Sequence, residues 1–515
     1  MKKLTVVHPL FFAMFPILAL YAYNVAEVSP SEIVLPTAIV LGSTVFLLIL
    51  TGVILRNLKK AGIVVSIFLV MFFSYGHVAN AVEGWGIDYK VLLPIWSLLI
   101  ICGAYLAIKT RRDLTAVTSI LNVIALTLVI IPTVNIVVHE TKAASRDIEA
   151  AGSVETDAVD LGEIDTLPDI YYIIVDRYAS ASTLEEVYDF DNSEFIDYLS
   201  EKGFYIASES VANYPQTASS LASSLNMEYI NYLSEEVGEE SDDLGAIYEM
   251  LEDYEVWRFL KSRGYQFIHI GSWWEPTRIN KYADVNINHC QVPEFSMQLL
   301  ETTMIYPIVQ EGSKLPDWLK GPFVEEFRTM HANSILYNFE KLAEVPSMEG
   351  PTFVFAHIFV THEPYVFDGN GNYLTQEEAD VRSRTVNYVE QLIFANSKVR
   401  ALVDELLSSS EVPPIIILQA DEGSLPLRYE LDEDNFMWEE ATEAELREKM
   451  GILNAYYLPD ADTSLLYPSI TPVNSFRAVF NLYFGADFEL LPDRSYVFYS
   501  GRYPYKFIDV TDKLD

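Results

Sequence analysis

The sequence predicts an α-helical membrane domain of five transmembrane helices, followed by an α/β domain with a mainly parallel central sheet. Three observations predict it. The first 138 of 515 residues hold five apolar runs, at 6–23, 33–55, 61–82, 91–108 and 115–138. Each is close to the roughly 20 residues that cross a bilayer core about 30 Å thick. From residue 168 onward, short apolar runs alternate with amphipathic stretches, the rhythm of helices layered over a sheet. Between them, residues 139–167 are small, polar and acidic without a sustained apolar period, and read as a linker. The expected division is therefore 1–138, 139–167 and 168–515.

The first run follows Met1, Lys2 and Lys3, so by itself it admits a reading as a secretory signal peptide. Four further spans at once favour an uncleaved first helix. Basic residues set the orientation: Lys2 and Lys3, then Arg56, Lys59 and Lys60, then Lys109, Arg111 and Arg112 fall at one membrane face, against Lys90 at the other. The expectation is a multi-pass protein of the cytoplasmic membrane with an extracytoplasmic domain after residue 138.

Charge follows the same division. The net charge is −39, yet residues 1–138 carry nine Lys and Arg against five Asp and Glu, which leaves −43 beyond them. A surface so acidic argues against nucleic acid as a partner, because phosphate contacts need Lys and Arg. The two cysteines, Cys102 in the fourth span and Cys290 in the outer part, cannot meet, and no disulfide-linked partner is implied. Cys290 reads either as a reactive thiol or as a small buried apolar residue.

Strands are expected at 169–176, 265–272, 352–360, 414–421 and 452–459, whose near-continuous hydrophobicity suits strands covered on both faces. Helices are expected at 193–202 and 256–263, each closed by a glycine, and at 381–407. Ligands in open α/β sheets gather beyond the carboxyl ends of the strands. There the first strand delivers Asp176, the third His357 and then His362 in "THEPY", and the fourth Asp421 and Glu422 before Gly423. In "NYPQTASSLASSLNM", Pro215 marks a helix entry, with Leu221 and Leu225 on a buried face and Thr217 in the first turn. Free N–H groups and the helix dipole favour an anion there. A hydroxyl at that place, beside a metal held by carboxylates, has the makings of a nucleophile. Singly, each residue has a plainer reading: Asp176 as a turn residue, Thr217 as a cap, His357 as a core histidine, and the two acids as a solvated tip.

These residues carry a resemblance. The sequence resembles the alkaline phosphatase and sulfatase superfamily, and within it the membrane-anchored branch of lipoteichoic acid synthases and phosphoethanolamine transferases. The resemblance implies that the outer domain has the alkaline-phosphatase-like (sulfatase-like) α/β fold. It also implies that Asp176 of "YYIIVD", Thr217 of "YPQTASSL" and Asp421 of "LQADEG" are metal ligands, with Thr217 the catalytic nucleophile. His362, and less directly His357, would contact the substrate's phosphate-like group. Glu422 stands where the family has a histidine ligand. An oxygen shell of Asp176, Thr217, Asp421 and Glu422 would favour one hard divalent ion, Mn²⁺ or Mg²⁺. The formylglycine chemistry of sulfatases needs Cys or Ser in a C/S-x-P-x-R setting, which Cys290-Gln291-Val292-Pro293 does not provide.

The function expected from the resemblance is a membrane-bound, metal-dependent transferase or hydrolase of phospho-substituents on a lipid or envelope glycan. Two alternatives stand beside it: a non-catalytic membrane protein of the same fold with a degenerate metal site, and a sulfatase-like hydrolase. The region 290–349, which contains "WLKGPFVEEF", reads either as a segment that dips toward lipid headgroups or as a helical insertion.

Overall fold

The computed structural model describes residues 6–83, 89–150, 167–289, 294–307, 326–433, 435–461 and 463–514. Cys290, most of the linker and most of "WLKGPFVEEF" lie outside the described residues. The chain forms two compact units, one of Met1–Thr156 with Val292–Glu326, the other of Asp157–Gln291 with Phe327–Asp515.

The first unit contains five apolar helices: α1 (His8–Tyr23), α2 (Val34–Leu55), α3 (Leu58–Glu83), α4 (Tyr89–Lys109) and α5 (Thr115–Ala150). Four of them are long and apolar enough to cross a membrane; α1, at 16 residues, is shorter. Helix α1 packs against α2, α3 and α5, burying Ala13, Ile17 and Tyr21 with Val65, Leu69 and Phe73 of α3. The helix Glu294–Glu301 belongs to this same core through Phe295 and Leu299. Its chain is pinned by backbone bonds from Gly76 to the Thr302 carbonyl (2.9 Å) and from Met304 to the Phe72 carbonyl (3.1 Å). Glycine is required at 76, because a Cβ there would run into the carbonyl oxygen of Glu301. A segment read from sequence as part of the outer domain is thus built into the helical unit. A cavity of about 530 Å³ in this unit is lined by Phe12, Phe15, Leu20, Phe73, His77 and Thr302, among others.

The second unit is built on a seven-stranded sheet. Its strands are β1 (Ile170–Val175), β2 (Tyr205–Ile206), β3 (Gln266–Ile270), β4 (Val285–Ile287), β5 (Thr352–Ile358), β6 (Ile415–Gln419) and β7 (Asn454–Tyr457), in the order β2-β7-β6-β1-β5-β3-β4. Strands β6, β1, β5, β3 and β4 run parallel. The fifth expected strand, β7, is present but antiparallel to β6, with the two-residue β2 antiparallel at the edge. A separate hairpin pairs β8 (Tyr496–Phe498) with β9 (Phe507–Asp509).

Successive side chains of a strand point to opposite faces, so a central strand feeds two cores. Tyr171, Ile173 and Val175 join Val354, Ala356, Ile416 and Leu418 on one face, beneath Leu392, Val399 and Leu406 of the helix Arg384–Ser409. Ile170, Tyr172 and Ile174 join Phe353, Phe355, Ile415 and Ile417 on the other, beneath Leu221 and Leu225 of the helix Thr217–Asn226. Both faces are covered, which is why β1, β5 and β6 are wholly buried.

Candidate metal centre

The alternation that fills the second core continues past the strand ends and aims three polar side chains to the same side. Asp176 follows Tyr172 and Ile174, His357 follows Phe353 and Phe355, and Asp421 follows Ile415, Ile417 and Gln419. Parallel register sets Ile174 beside both His357 and Gln419, and the Asp176 N–H extends the ladder to the Ile358 carbonyl at 3.1 Å. Asp176, His357 and Asp421 consequently offer ligand atoms all within 4.8 Å of one another. None is more than 2% exposed.

Each member is held from behind. Asp176 Oδ2 lies 3.1 Å from His357 Nε2, and the Thr361 hydroxyl donates to the Asp176 carbonyl. His357 Nδ1 is hydrogen-bonded to Thr277 Oγ1 at 2.9 Å. Thr277 is fixed in turn by the Ser272 hydroxyl (2.9 Å) and, at its carbonyl, by His269 Nε2 (2.8 Å). Were Nδ1–H donated to Thr277, Nε2 would be left with the lone pair a metal takes. Asp421 accepts from the Arg177 N–H at 3.2 Å, and its carbonyl accepts from Ser220 Oγ at 2.6 Å. Burial, then the neighbouring Asp176 carboxylate, pushes Asp421 up to about 6.

The half-buried Thr217 is the first residue of the helix Thr217–Asn226, preceded by the extended Gln216. Its side chain lies beside the Asp421 carboxylate. Because Leu221 and Leu225 anchor that helix on the sheet face carrying the three ligand candidates, the core packing itself sets Thr217 beside them.

Glu422, expected as a ligand, lies outside the Asp176, His357 and Asp421 group; one of its oxygens meets two cations, and the other, Oε2, is buried without a hydrogen-bond partner among the described residues. Its Oε1 accepts from Arg177 Nε at 2.9 Å and from Lys449 Nζ at 2.8 Å, with Glu422 and Lys449 both essentially inaccessible to water. The local cause is the turn at Gly423, whose N–H bonds the Lys449 carbonyl at 2.7 Å. A Cβ at that position would collide with the Glu448 carbonyl oxygen. Only glycine lets the end of β6 press onto the 448–451 backbone, and this contact carries Lys449 to the carboxylate. Arg177 and Lys449 were not singled out in the sequence. Arg177 had one signal, its place next to Asp176 at a strand end; Lys449, in the acidic helix Glu443–Met450, had none.

His362 lies outside the three-residue group. Its ring meets Trp273 and Phe359 edge-on, its Nδ1 is bonded to the Glu363 carbonyl, and burial and the Arg177 charge hold it well below the usual imidazole range. It is therefore a neutral donor or acceptor at pH 7, not a cation.

The residues present fit a divalent cation. Two carboxylates and an imidazole converge, and Asp176 Oδ1 and Asp421 Oδ2 are buried without a hydrogen-bond partner among the described residues. Buried charge lacking a partner is costly unless an ion compensates it.

No protein-family model matches the chain, and no curated protein matches it. Solved structures do. One is the C-terminal periplasmic domain of EcEptC from Escherichia coli in complex with Zn, at 12% identity and TM-score 0.42, covering 69% of this chain and 94% of that one. Another is the integral membrane protein lipooligosaccharide phosphoethanolamine transferase A (EptA) from Neisseria meningitidis, at 11% identity and TM-score 0.38, covering 93% and 95%. A third is a protein of the alkaline phosphatase superfamily from Vibrio parahaemolyticus, at 10% identity and TM-score 0.37, covering 65% and 74%.

Proposed function

We propose that this chain is a membrane-bound, metal-dependent enzyme that transfers or hydrolyses a phospho-substituent of a lipid or envelope glycan, with Thr217 as the nucleophile. The observation that carries the reading is Thr217, at the first turn of its helix, beside a buried Asp176, His357 and Asp421 cluster in which Asp176 Oδ1 and Asp421 Oδ2 have no hydrogen-bond partner among the described residues.

Asp176, His357 and Asp421 would hold a divalent cation. An imidazole in the set shifts the preference from the hardest ions toward Zn²⁺ or Mn²⁺. When bound, a divalent ion supplies positive charge that lowers the pKa of a nearby hydroxyl and offsets charge on phosphoryl oxygens. Asp421, beside Thr217, orients its hydroxyl. Thr217 Oγ attacks phosphorus, forming a phospho-threonine as the bond to the leaving oxygen breaks and the hydroxyl proton passes through solvent to that oxygen. The unpaired N–H groups of the helix's first turn face that phosphoryl group. His362, uncharged, supplies a hydrogen bond and not a positive charge. Water or a glycan hydroxyl then accepts the group from Thr217. The apolar helices and the apolar cavity of the first unit support a lipid as one substrate. The basic residues flanking the helices support an extracytoplasmic position for the second unit.

The test is full-length protein in nanodiscs containing phosphatidylethanolamine and phosphatidylglycerol. A phosphoryl-bearing adduct on the peptide containing Thr217, seen by mass spectrometry and lost together with turnover in T217A, is the expected result. Unchanged turnover in a folded, metal-retaining T217A protein rejects the nucleophile. Absence of bound metal under every condition favours instead a non-catalytic protein of this fold.

A further inference from the structure

Arg177 is the residue this site spends most structure on. Its backbone is left-handed, at φ 58°, a conformation a non-glycine residue adopts only when its surroundings enforce it. The enforcement is visible: its N–H goes to Asp421 Oδ1, and its carbonyl accepts the Tyr388 hydroxyl at 2.9 Å. Tyr388 packs against Tyr188, with ring centroids 4.5 Å apart and planes tilted by 32°. The result turns the side chain back across the site, with Nε 3.8 Å from Asp176 and 2.9 Å from Glu422.

Only Nε is committed. Among the described residues, neither terminal nitrogen of Arg177 has a hydrogen-bond partner, and the side chain keeps 17% of its exposure. A guanidinium tethered at Nε with both terminal NH₂ groups free, next to a buried cation site, has the shape of a fork for a tetrahedral oxyanion. Its tether is unusually firm. Glu422 is prevented from wandering by the buried Lys449, so Lys449 positions Glu422 and Glu422 positions Arg177.

We propose that Arg177 binds the phosphoryl oxygens of the substrate through its two terminal nitrogens, and that Glu422 and Lys449 are its positioning residues. The inference takes its ligand class from the phosphoryl chemistry proposed above; the fork itself stands on the geometry alone. Glu422 is then the anchor of an anion site beside Asp176.

The experiment is calorimetric titration of inorganic phosphate into full-length detergent-solubilised protein, with metal content measured on the same samples. Arg177→Gln leaves the Glu422–Lys449 pair in place, so its thermal midpoint and metal content should match wild type. Its phosphate affinity should fall by roughly tenfold or more, the loss of two charge-assisted hydrogen bonds. Arg177→Lys, which keeps the charge but not the fork, should recover only part of that affinity, and it decides the matter if the glutamine variant does not fold. Equal phosphate affinity in wild type and the variants, or no phosphate binding by wild type, overturns the proposal. Wild type without metal that still binds phosphate through Arg177 would reject the metal reading alone and leave the anion site standing.

Discussion

Replacing Glu422 by glutamine separates the two roles open to this side chain, ligand or counter-ion. In the structure one carboxylate oxygen serves both Lys449 Nζ at 2.8 Å and Arg177 Nε at 2.9 Å. At an effective dielectric of about 20, a unit pair at that separation attracts by about 6 kcal/mol, much of it offset by the cost of drying both groups. Glutamine keeps the shape and removes the charge, leaving the Lys449 ammonium buried opposite a neutral amide. Breaking a buried pair from one side costs about 3–5 kcal/mol. For a unit of this size that is a fall of roughly 6–10 °C in the melting midpoint.

The assay is the thermal midpoint of purified full-length protein, wild type against E422Q, with metal content by mass spectrometry. E422Q should melt lower and keep its metal. The double variant E422Q/K449M, which replaces the pair by apolar contact, should regain half or more of the loss. Because burial already holds the Lys449 ammonium below its usual range, E422Q should lose less at pH 9 than at pH 7. Loss of metal with little change in melting would refute the counter-ion reasoning and return Glu422 to the ligand set.

Two further outcomes follow from the same geometry. Thr277→Val removes the partner of His357 Nδ1, and should weaken metal affinity by about 10- to 100-fold, read by competition with a chromogenic chelator, while melting stays near wild type. Asp421, ordinarily at 3.8, is raised in the fold to about 6, so its neutral form is favoured. Metal-free protein should hold that contribution below about pH 4 and lose it, on the order of 3 kcal/mol, as pH rises through 6. Metal affinity should climb over the same window as the proton leaves. Urea midpoints of chelator-treated wild type and D421N at pH 4.5 and 7 check this; identical slopes would refute it.

Much of the fold is written in local pattern. Strands β1, β5 and β6 are continuous apolar runs because both faces are covered, and their polar end residues follow from the same alternation. The helix at Thr217 is legible from Pro215 and the Leu221–Leu225 spacing. Less is visible where long-range partners decide. The antiparallel sense of β7 depends on the path of the chain after β6, and the helix expected at 381–407 is split where Ser383 caps a new start at Arg384. The return of Glu294–Glu301 to the membrane helices rests on Phe295 and Leu299 in a segment of eight residues, too short to announce a partner. At the site, the engagement of Glu422 was not legible, because Arg177 and Lys449, the cations that receive it, lie far from it in the chain.

The placement of those cations bears on what the site can bind. Asp176, Asp421 and Glu422 alone carry three negative charges, and a divalent ion added to them would still present a negative face to a phosphoryl group. Arg177 and Lys449 contribute two positive charges within hydrogen-bonding reach of Glu422. The same set with one divalent ion is then net positive by one, in a pocket where water screens little. A carboxylate at position 422 is compatible with an anionic substrate only because both cations accompany it. Arg177 is the one of the two with free donors, whereas Lys449 is fully enclosed; the first can reach substrate and the second can only keep the carboxylate, and through it the arginine, in place.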